Sequence, residues 1–396
     1  PGKAIREIIA VCRSVGVAFR TVPGLFEIID GTVRVSQLRE VRLEDLLRRE
    51  PVRVDLGELG TFLSSKTVLV TGAGGSIGSE LCRQIARFQP QRLILFELSE
   101  GNLFQIHHEL TARFPTLHIT PVVGDIRDQA KVSATFSELE PKVVFHAAAY
   151  KHVPLMESNV EEVVANNVFG TRNIIEASLQ HAIECFVLIS TDKAVNPKSV
   201  MGASKRVAEL LTLEASRRSS GVFVSVRFGN VLGSSGSAVP LFKEQIATGG
   251  PVTVTHPEVQ RYFMTLPEAV SLIIQAAAMG KGGEIFVLDM GQPIKIKDLV
   301  SDLVRLSGLE PEKDIDVVFT GLRAGEKLRE ELFTAQEQLQ RTRHSQIFAA
   351  LSNRHDNEEL QRDLAKLESL VKARDTTSIK AQLKRIVPEY KSEAQS

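Results

Sequence analysis

Three consecutive side chains in the middle of the chain combine the groups that proton transfer needs. Thr191, Asp192 and Lys193 supply a hydroxyl, a carboxyl and an amine directly after the apolar run 184–190. Two titratable groups of opposite type suit an elimination, in which one takes a carbon-bound proton and the other protonates a departing hydroxyl. Neighbouring side chains of an extended segment point to opposite sides, so a bend is needed for all three to face one substrate. The alternative is a solvated Asp–Lys pair.

A glycine-rich segment, residues 66–80, predicts a phosphate-binding turn between a strand and a helix. The β-branched run 67–71 is typical of a strand that is buried on both faces, and a helical pattern follows the glycines. Gly72 allows the tight turn, Gly75 lets the backbone approach a pyrophosphate, and Gly78 lets the helix pack closely on the strand. The alternative is a structural βα turn.

Two further features of this segment predict a dinucleotide. The backbone N–H groups at the helix start, which include those of Ser76 and Ile77, would face the phosphates. A second apolar strand, 92–96, ends at Glu97, about 20 residues after the last glycine, which is the spacing of a carboxylate that binds a ribose hydroxyl. An acid there repels a 2′-phosphate, so NAD is favoured over NADP as the cofactor.

Strands and helical patterns alternate along the next part of the chain. Further apolar runs of the strand type lie at 119–125, 142–146, 184–190 and 222–227. This alternation requires a parallel sheet with right-handed crossovers, so the predicted fold class is α/β, a doubly wound Rossmann-type sheet with a smaller interleaved substrate domain. Ligands in this fold bind beyond the carboxyl ends of the strands.

The predicted domains follow from where this alternation begins and breaks. The NAD-binding domain covers 61–228, with 259–290 returning to it, and the substrate domain covers 229–258 and 291–335. Residues 1–60 read as the end of a preceding α/β region plus a linker, and 336–396 as a helical tail. In that tail the stripe of Leu360, Leu364, Leu367 and Leu370 predicts packing.

Other strand ends carry candidate cofactor contacts. Asp125, followed by Ile126, can accept from an adenine amino group, and an Asx-turn or a helix cap is its alternative. His146 is followed by small side chains against which a cofactor can lie, although His146 itself also fits a hydrogen-bonded core position. These small residues are Ala147, Ala148 and Ala149. Asn167 is expected to order a water or a lysine within a helix.

Composition excludes several classes of partner. The chain has 396 residues, with 48 basic and 48 acidic side chains, so no global field favours nucleic acid or an anionic membrane. Cys12, Cys82 and Cys185 are far apart and show no metal-ligand spacing, and their odd number suggests a reducing cytosol. No apolar run is long enough to span a bilayer. The first residue is proline rather than methionine, which suggests a piece of a longer protein.

Together these motifs resemble the extended branch of the short-chain dehydrogenase/reductase superfamily. The resemblance rests on Thr-Gly-x-x-Gly-x-x-Gly at 71–78, Gly-Asp after the third strand, His-Ala-Ala-Ala after the fourth, and a helix that carries Lys205. In that superfamily a tyrosine four residues before the lysine takes a hydroxyl proton, while the lysine lowers the tyrosine pKa and holds the nicotinamide ribose. Here the tyrosine position is Met201, whose thioether cannot take a proton, and no other Tyr-x-x-x-Lys exists. Either the protein is inactive or another group moves the protons.

A closer resemblance covers residues 41–333. It is to the bacterial polysaccharide-biosynthesis UDP-N-acetylglucosamine 4,6-dehydratases in their long, membrane-anchored form. The matching stretches are 68–80, 146–157, 190–197, 227–237, 261–265 and 323–328. Methionine at position 201 is typical of the long form, and Ala324 stands where the family usually has proline.

This resemblance implies an internal redox cycle. NAD removes hydride from sugar C4, water is lost across C5 and C6, and hydride returns to C6, with the C5 configuration retained. Lys193 is then the C5 base, Asp192 the acid for O6, Thr191 assists loss of the 4-hydroxyl proton, and Lys205 holds the ribose. The residues expected at UDP-N-acetylglucosamine are Lys151, His152, Asn230, Arg261, Arg323 and Glu326. Arginine forks suit a diphosphate, and ion-paired or solvated arginines are the alternative.

The resemblance also implies a setting for the protein. Relatives carry transmembrane helices upstream, so we expect a cytoplasmic domain of an inner-membrane protein that faces the cytoplasm, and a homo-oligomer. Two other functions stay open. One is a nucleotide-sugar 4-epimerase, which would usually keep the tyrosine. The other is a non-catalytic module that binds NAD or a nucleotide sugar.

Overall fold

The computed structural model describes residues 54–391 except 235, 335–336 and 352–356, together with the isolated positions 5, 8, 11, 12 and 45. Most of the α/β region and linker predicted for residues 1–60, for which the sequence pattern indicates helices at 4–12 and 41–49 and a strand at 17–22, therefore lies outside the described residues. Every structural statement below concerns the described part of the chain.

The secondary structure alternates as the sequence predicts. The strands are β1 (Thr67–Thr71), β2 (Arg92–Glu97), β3 (Ile119–Val123), β4 (Val143–His146), β5 (Cys185–Ile189), β6 (Val222–Arg227), β7 (Asn230–Val231), β8 (Val252–Val254), β9 (Gln260–Arg261), β10 (Phe263–Met264), β11 (Ile285–Leu288), β12 (Ile294–Lys295), β13 (Val317–Phe319), β14 (Gln338–Arg341) and β15 (Ile347–Leu351). The helices are α1 (Leu56–Leu63), α2 (Ser76–Ala86), α3 (Glu100–Arg113), α4 (Gln129–Leu139), α5 (Val153–Glu157), α6 (Val160–Val164), α7 (Thr171–Gln180), α8 (Val200–Arg218), α9 (Ala238–Ala247), α10 (Leu266–Met279), α11 (Ile296–Leu306), α12 (Asn357–Ala373) and α13 (Thr376–Ile386).

The main sheet has the predicted doubly wound topology. Its strand order is β14-β15-β11-β6-β5-β4-β1-β2-β3, and the seven strands from β11 to β3 pair in parallel. The chain order reverses between β1 and β4, which makes their carboxyl ends the switch point where this fold binds ligands. The central strands are buried on both faces, whereas β3, which contains Pro121, lies at the edge, where a missing N–H is tolerated.

The two strands at the other edge correct the prediction of a helical tail from residue 336. β15 pairs antiparallel with β11, and β14 pairs antiparallel with β15. All four side chains of β14 are exposed, so its sequence shows no alternation that would reveal a strand. The helical part of the tail is α12 and α13. Leu360, Leu364 and Leu367 are buried in the core of the sheet, and Leu370 packs against it, as the leucine stripe predicts.

The chain divides into two compact units. The larger comprises Val54–Gly229, Ala269–Asp289 and Arg323–Ser396, and the described part of the smaller comprises Asn230–Glu268 and Met290–Leu322. The division differs from the predicted one at 259–268 and 323–335. The first differs because β9 and β10 pair with β12 and β7 inside the smaller unit. The second differs because Lys327 donates to the carbonyl of Val195 in the larger unit.

The smaller unit has its own core. Three short strand pairs and the helices α9 and α11 enclose apolar side chains that include Phe242, Val252, Leu299, Leu303 and Ile315. Among the described helices, none is both long and apolar enough to cross a bilayer.

Candidate active site

The glycine-rich loop after β1 is closed by backbone contacts that leave no room for side chains. Gly72 has φ +65°, and a Cβ there would lie 2.8 Å from the Cα of Ala148. A Cβ on Gly78, in the first turn of α2, would lie 2.0 Å from the carbonyl oxygen of Gly72. The N-cap residue of α2 is Gly75, which has no side chain to cover that turn. The loop therefore has the form that the phosphate-binding pattern predicts.

Glu97 lies beside this loop. Its carboxylate accepts one hydrogen bond from the N–H of Gly74 and another from the N–H of Ser99, each at 2.9 Å. The acid predicted to bind a ribose is thus held against the glycine-rich loop at the carboxyl ends of β1 and β2.

The end of β4 is fixed by a buried histidine. The Nδ1 atom of His146 lies 2.7 Å from the hydroxyl of Thr71, and its Nε2 atom lies 2.9 Å from the hydroxyl of Thr171. Burial, with a smaller contribution from the Lys205 charge, lowers the His146 pKa to about 3. His146 is therefore a neutral, hydrogen-bonded core residue, as one of its two readings predicts. The alanines that follow it, Ala147, Ala148 and Ala149, are partly exposed.

Asp125, after β3, is bound to its own loop. Its carboxylate accepts from the N–H of Arg127 at 2.8 Å and pairs with the Arg127 guanidinium at 2.7 Å. Burial opposes ionisation, but the hydrogen bonds from Arg127 outweigh it and lower the Asp125 pKa. The Asx-turn considered for Asp125 is thus present. The neighbouring Ile126 is buried and packs against Gly170.

Asn167 lies in a π-helical turn, Ala165–Gly170, and its amide is occupied by protein groups. The side chain accepts from the N–H of Tyr150 and donates to the carbonyl of Tyr150, both at 2.9 Å. It also donates to Ser204 at 3.1 Å and accepts from Asn166 at 3.0 Å. These four bonds use both donors and both acceptor positions of the amide. In this arrangement Asn167 holds the loop after β4 and does not offer the direct cofactor contact that the sequence predicts.

The bend needed to bring three side chains together is present directly after β5. Asp192 to Ala194 form a 3-10 turn, and the Thr191 side chain caps it. The Thr191 hydroxyl donates to Asp192 Oδ1 at 2.9 Å, and the Lys193 ammonium donates to the same oxygen at 2.9 Å. We call residues 190–194 the Thr-Asp-Lys turn. Asp192 is fully buried, and its Oδ2 atom has no hydrogen-bond partner among the described residues. The pair is not the solvated pair of the alternative reading.

The helix α8 packs on this turn and carries the two positions that define the departure from the tyrosine-dependent enzymes. A Cβ on Gly202 would lie 2.3 Å from the carbonyl oxygen of Lys193, so only glycine permits the contact. Met201 and Lys205 are both buried. Burial lowers the Lys205 pKa to about 8, and no described residue forms a hydrogen bond with its ammonium. A buried lysine of this kind is suited to holding ligand hydroxyls.

A buried ionic network, called here the network below the turn, is joined to the Thr-Asp-Lys turn through Ser190. Arg227 is fully buried and forms paired hydrogen bonds with Glu209, at 2.6 Å each, and with Glu337, at 2.8 and 2.9 Å. The Ser190 hydroxyl donates to Glu209 at 2.6 Å, and Arg206 lies 2.9 Å from the same carboxylate. Burial opposes ionisation of Glu209, but the Arg227 charge outweighs it and lowers the Glu209 pKa to about 2.

The sequence analysis assigned no role to this network. Glu337 is 110 residues from Arg227, and no local pattern links them. The one available signal was the presence of arginines within helix and strand segments that otherwise read as buried.

The residues predicted to contact a nucleotide sugar lie in both compact units. In the larger unit, Lys151 and His152 are exposed ahead of α5. Arg323 and Glu326 share one turn there, in which the Arg323 N–H donates to the Glu326 carboxylate at 3.2 Å.

The other two predicted contacts belong to the smaller unit. Asn230 begins β7, and its N–H donates to the carbonyl of Tyr262 at 3.0 Å. Arg261 is largely buried in β9, and its guanidinium donates to the carbonyl of Gln260 at 2.7 Å. Arg261 is therefore not a solvated surface arginine.

Comparison with known proteins identifies relatives of this chain. The capsular polysaccharide biosynthesis protein CapD of Staphylococcus aureus is 49% identical over 337 residues, which are 85% of this chain and 56% of that protein. The chain thus spans just over half the length of that relative. A UDP-N-acetylglucosamine 4,6-dehydratase (inverting) of Campylobacter jejuni subsp. jejuni is 31% identical over 281 residues, 70% of this chain and 80% of that protein. A UDP-glucose 4-epimerase of Rickettsia rickettsii is 34% identical over 281 residues, 69% and 79% respectively.

The structural and family comparisons agree with these relatives. The X-ray structure of Pen from Bacillus thuringiensis matches with a TM-score of 0.67 and 33% identity, covering 77% of this chain and 98% of that one. The family model described as polysaccharide biosynthesis protein matches residues 68–352. That match covers well over half of the chain and confirms the family that the motifs predicted. The chain belongs to the polysaccharide biosynthesis protein family.

Proposed function

We propose that this protein is an NAD-dependent 4,6-dehydratase of UDP-N-acetylglucosamine. The observation that carries the proposal is the Thr-Asp-Lys turn. In it a hydroxyl and an amine meet on one carboxylate oxygen, and the phenol that the superfamily normally uses is replaced by Met201. An elimination needs an acid and a base side by side, and the turn supplies both.

The residues present fit NAD. The loop Gly72–Gly78 has the shape that a pyrophosphate requires, and Glu97 lies at the position of a ribose-binding acid. The buried ammonium of Lys205 is suited to the hydroxyls of the second ribose. When bound between these residues, NAD would supply the acceptor for the hydride of sugar C4 and the donor for C6, without net consumption.

The protein groups move the protons of this cycle. The 4-hydroxyl proton passes through the Thr191 hydroxyl to Asp192, along their 2.9 Å contact, and the resulting 4-ketone acidifies the hydrogen at C5. The neutral Lys193 amine takes the C5 proton, the C5 electron pair forms the C5=C6 bond, and the C6–O bond breaks. Asp192, which starts this step protonated, gives its proton to O6, and water leaves. Lys193 later returns its proton to C5, so the two side chains end the cycle as they began it, with Asp192 ionised and the Lys193 amine neutral.

We propose retention of configuration at C5. If Lys193 both removes and returns the C5 proton, both transfers take place on one face of the sugar. The Campylobacter relative is named as inverting, but the long-form enzymes that this chain resembles have methionine where inverting relatives keep tyrosine. The coupling constant of the C5 proton in the NMR spectrum of the product tests this assignment, because inversion gives the other stereoisomer.

UDP recognition is assigned to side chains that can bind a diphosphate or a nucleoside. These are Lys151, His152, Asn230, Arg261, Arg323 and Glu326. We further propose that the chain is the cytoplasmic domain of a longer, inner-membrane-anchored protein that assembles with copies of itself. Fractionation of cells that express the whole gene tests the anchoring, and light scattering of this chain tests the assembly.

The experiment that tests the activity combines the protein with NAD and UDP-N-acetylglucosamine. We expect a UDP-4-keto-6-deoxy sugar without net NADH. Asp192→Asn and Lys193→Ala are each expected to lower kcat by roughly 10²–10⁴-fold, which is the usual contribution of a general acid or base. Lys366→Ala, which removes an exposed lysine on α12, is the control and is expected to leave kcat unchanged.

A second candidate is a nucleotide-sugar 4-epimerase, since the Rickettsia relative carries that name. An epimerase returns the hydride to C4 and needs no acid for O6. Formation of UDP-N-acetylgalactosamine without a 6-deoxy product would establish the epimerase and reject the dehydratase. Tight binding of NAD and the sugar without any product would indicate the non-catalytic module.

A further inference from the structure

A second buried carboxylate lies beside the Thr-Asp-Lys turn. Glu330 belongs to the loop 327–331, and its side chain is only 3% exposed. Its Oε1 atom lies 3.9 Å from the Lys193 ammonium, on which Asp192 is the closer partner at 2.9 Å. The motif 323–328 ends just before Glu330, so neither the residue pattern nor the family resemblance singled it out.

The loop that carries Glu330 is tied to the turn. The Lys327 ammonium donates to the carbonyl of Val195 at 2.7 Å and lies 3.6 Å from Glu330 Oε2. Gly325 lies close to Ser199, the residue that caps α8. Glu330 is therefore held at a fixed place next to Lys193.

Each carboxylate beside Lys193 has one buried oxygen without a hydrogen-bond partner among the described residues. These oxygens are Asp192 Oδ2 and Glu330 Oε2. A buried carboxylate oxygen without a hydrogen bond costs stability, and structures retain such groups mainly where they are used. For Asp192 the use is proton donation to O6. Glu330 has no use in the steps described above.

We propose that Glu330 is a positioning residue that keeps Lys193 strongly basic during the elimination. This inference rests on the proposed function. Asp192 must be protonated, and therefore neutral, when Lys193 takes the C5 proton. Glu330 then still places a negative charge 3.9 Å from the Lys193 ammonium, and a negative charge at this distance favours the protonated amine.

The other charges around Lys193 do not replace this one. Lys327 lies beyond Glu330 and partly offsets it, and Lys205 of α8 is itself cationic. Glu209 is paired with Arg227 and Arg206 in the network below the turn, so its charge is compensated.

The first test compares Glu330→Gln with Glu331→Gln. Glu331 is the adjacent carboxylate, 54% exposed, and it bonds Asn196 and approaches Lys327 without reaching Lys193. Glu330→Gln keeps the size of the side chain and removes its charge. On the plateau of the pH–kcat profile, where the Lys193 amine is neutral in both proteins, we expect kcat to fall by up to about tenfold for each unit of basicity lost, with KM for the sugar and NAD affinity unchanged. Glu331→Gln is expected to stay within about twofold of the parent.

Deuterium incorporation at C5 from heavy water measures the removal of the C5 proton separately from the rest of turnover. Glu330→Gln should slow this exchange as much as it slows turnover, and it should move the acid limb of the pH–kcat profile to lower pH, because the amine loses its proton more easily. Glu330→Asp restores the charge and should regain part of kcat. A packing role predicts the opposite order, with Gln tolerated and Asp harmful, and would overturn the inference.

A second measurement does not depend on the substrate. The Lys193 ε-amine can be titrated by NMR in protein with ¹³C-labelled lysine, with Lys193→Ala used to assign its signal. Glu330→Gln should lower the Lys193 pKa by at least about one unit, whereas Glu331→Gln should not. If the parent protein does not convert UDP-N-acetylglucosamine, the proposed function fails, and this titration still decides whether Glu330 controls Lys193. An unchanged titration rejects the role of Glu330 even if the dehydratase activity is found.

Discussion

The glycine-rich loop after β1 and the Thr-Asp-Lys turn after β5 lie at the same edge of one sheet, yet they are held in different ways. The loop is shaped by the absence of side chains, since Gly72 packs on backbone atoms of Ala148 and Gly78 packs on backbone atoms of Gly72. The turn is shaped by charges that come from distant parts of the chain, with Glu209 on α8 and Glu337 near the tail both bound to Arg227.

The difference predicts which substitutions destabilise each region. A loop closed by backbone contacts is sensitive above all to added volume. A turn supported by buried ion pairs is sensitive to the loss of one charge, because the partner is then left uncompensated. The comparison is therefore tested by adding volume in the loop and by removing a charge in the turn, and by measuring the loss of stability in each case.

The largest effect is expected from Glu209→Ala. Glu209 accepts from Ser190 and compensates both Arg227 and Arg206, so its removal takes away a carboxylate that two buried arginines share. Breaking a buried pair in this way costs about 3–5 kcal/mol in the free energy of unfolding. Urea unfolding followed by circular dichroism measures the loss.

The control for Glu209 is the exposed pair between Glu176 and Arg218, which has the same chemistry at 2.9 Å. Glu176→Ala is expected to cost no more than about 1 kcal/mol. Equal losses in the free energy of unfolding would mean that the buried network contributes no more to stability than an exposed ion pair does.

A smaller loss of stability, with loss of the cofactor, is expected from Gly78→Ala. The added Cβ would lie 2.0 Å from the Gly72 carbonyl oxygen, so α2 must move away from the loop. Overpacking of this kind costs about 1–3 kcal/mol. The displaced helix start should also weaken NAD binding at least tenfold, which isothermal titration calorimetry measures.

Gly101 gives the matched control, because no atom lies within 4 Å of the Cβ that alanine would add there. It lies in the first turn of α3, where alanine is expected to raise stability slightly, by up to about 1 kcal/mol. If Gly78→Ala behaved like Gly101→Ala, the close approach at Gly78 would not constrain the loop.

The same contrast explains which features were predictable from the sequence. Periodicity and glycine spacing are local signals, so the strands β1 to β6, the turn between β1 and α2 and the position of Glu97 at the end of β2 could be predicted from the sequence. The strand β14 was missed because its side chains are all exposed, and the helical assignment of that part of the tail was wrong. Its position comes from pairing with β15, which no local pattern encodes.

In the site, the sequence identified which groups are present but not how they are bound. Thr191, Asp192 and Lys193 were recognised by type, and the bend that joins them follows from the 3-10 turn and its cap. Asn167 was predicted to contact the cofactor, whereas its amide is fully used by Tyr150 and its other protein partners. Long-range partners decide both outcomes, and these cannot be read from spacing.

The smallest predicted effect is a loss of folding stability in acid, which should begin at a higher pH for the region of His146 than for the region of Glu209. The His146 pKa is lowered from 6.5 to about 3, so below pH 6.5 the unfolded chain takes up a proton that the folded protein does not. The stability that comes from the neutral histidine is therefore complete above pH 6.5 and is lost progressively as the pH falls toward 3. Between pH 7 and pH 5 the loss is about 1–2 kcal/mol.

Glu209 acts in a lower range, because its pKa is lowered from 4.5 to about 2 and its contribution is lost only as the pH falls through that interval. Acid should thus weaken the end of β4, beside the glycine-rich loop, before it weakens the support of the Thr-Asp-Lys turn. Urea unfolding at pH 7, 6 and 5 measures the slope. His146→Gln should reduce it, whereas His118→Gln, at an exposed position, should leave it unchanged. A slope that is the same in His146→Gln and in the parent would show that His146 does not set the acid sensitivity, and the pH order of the two regions would have to be abandoned.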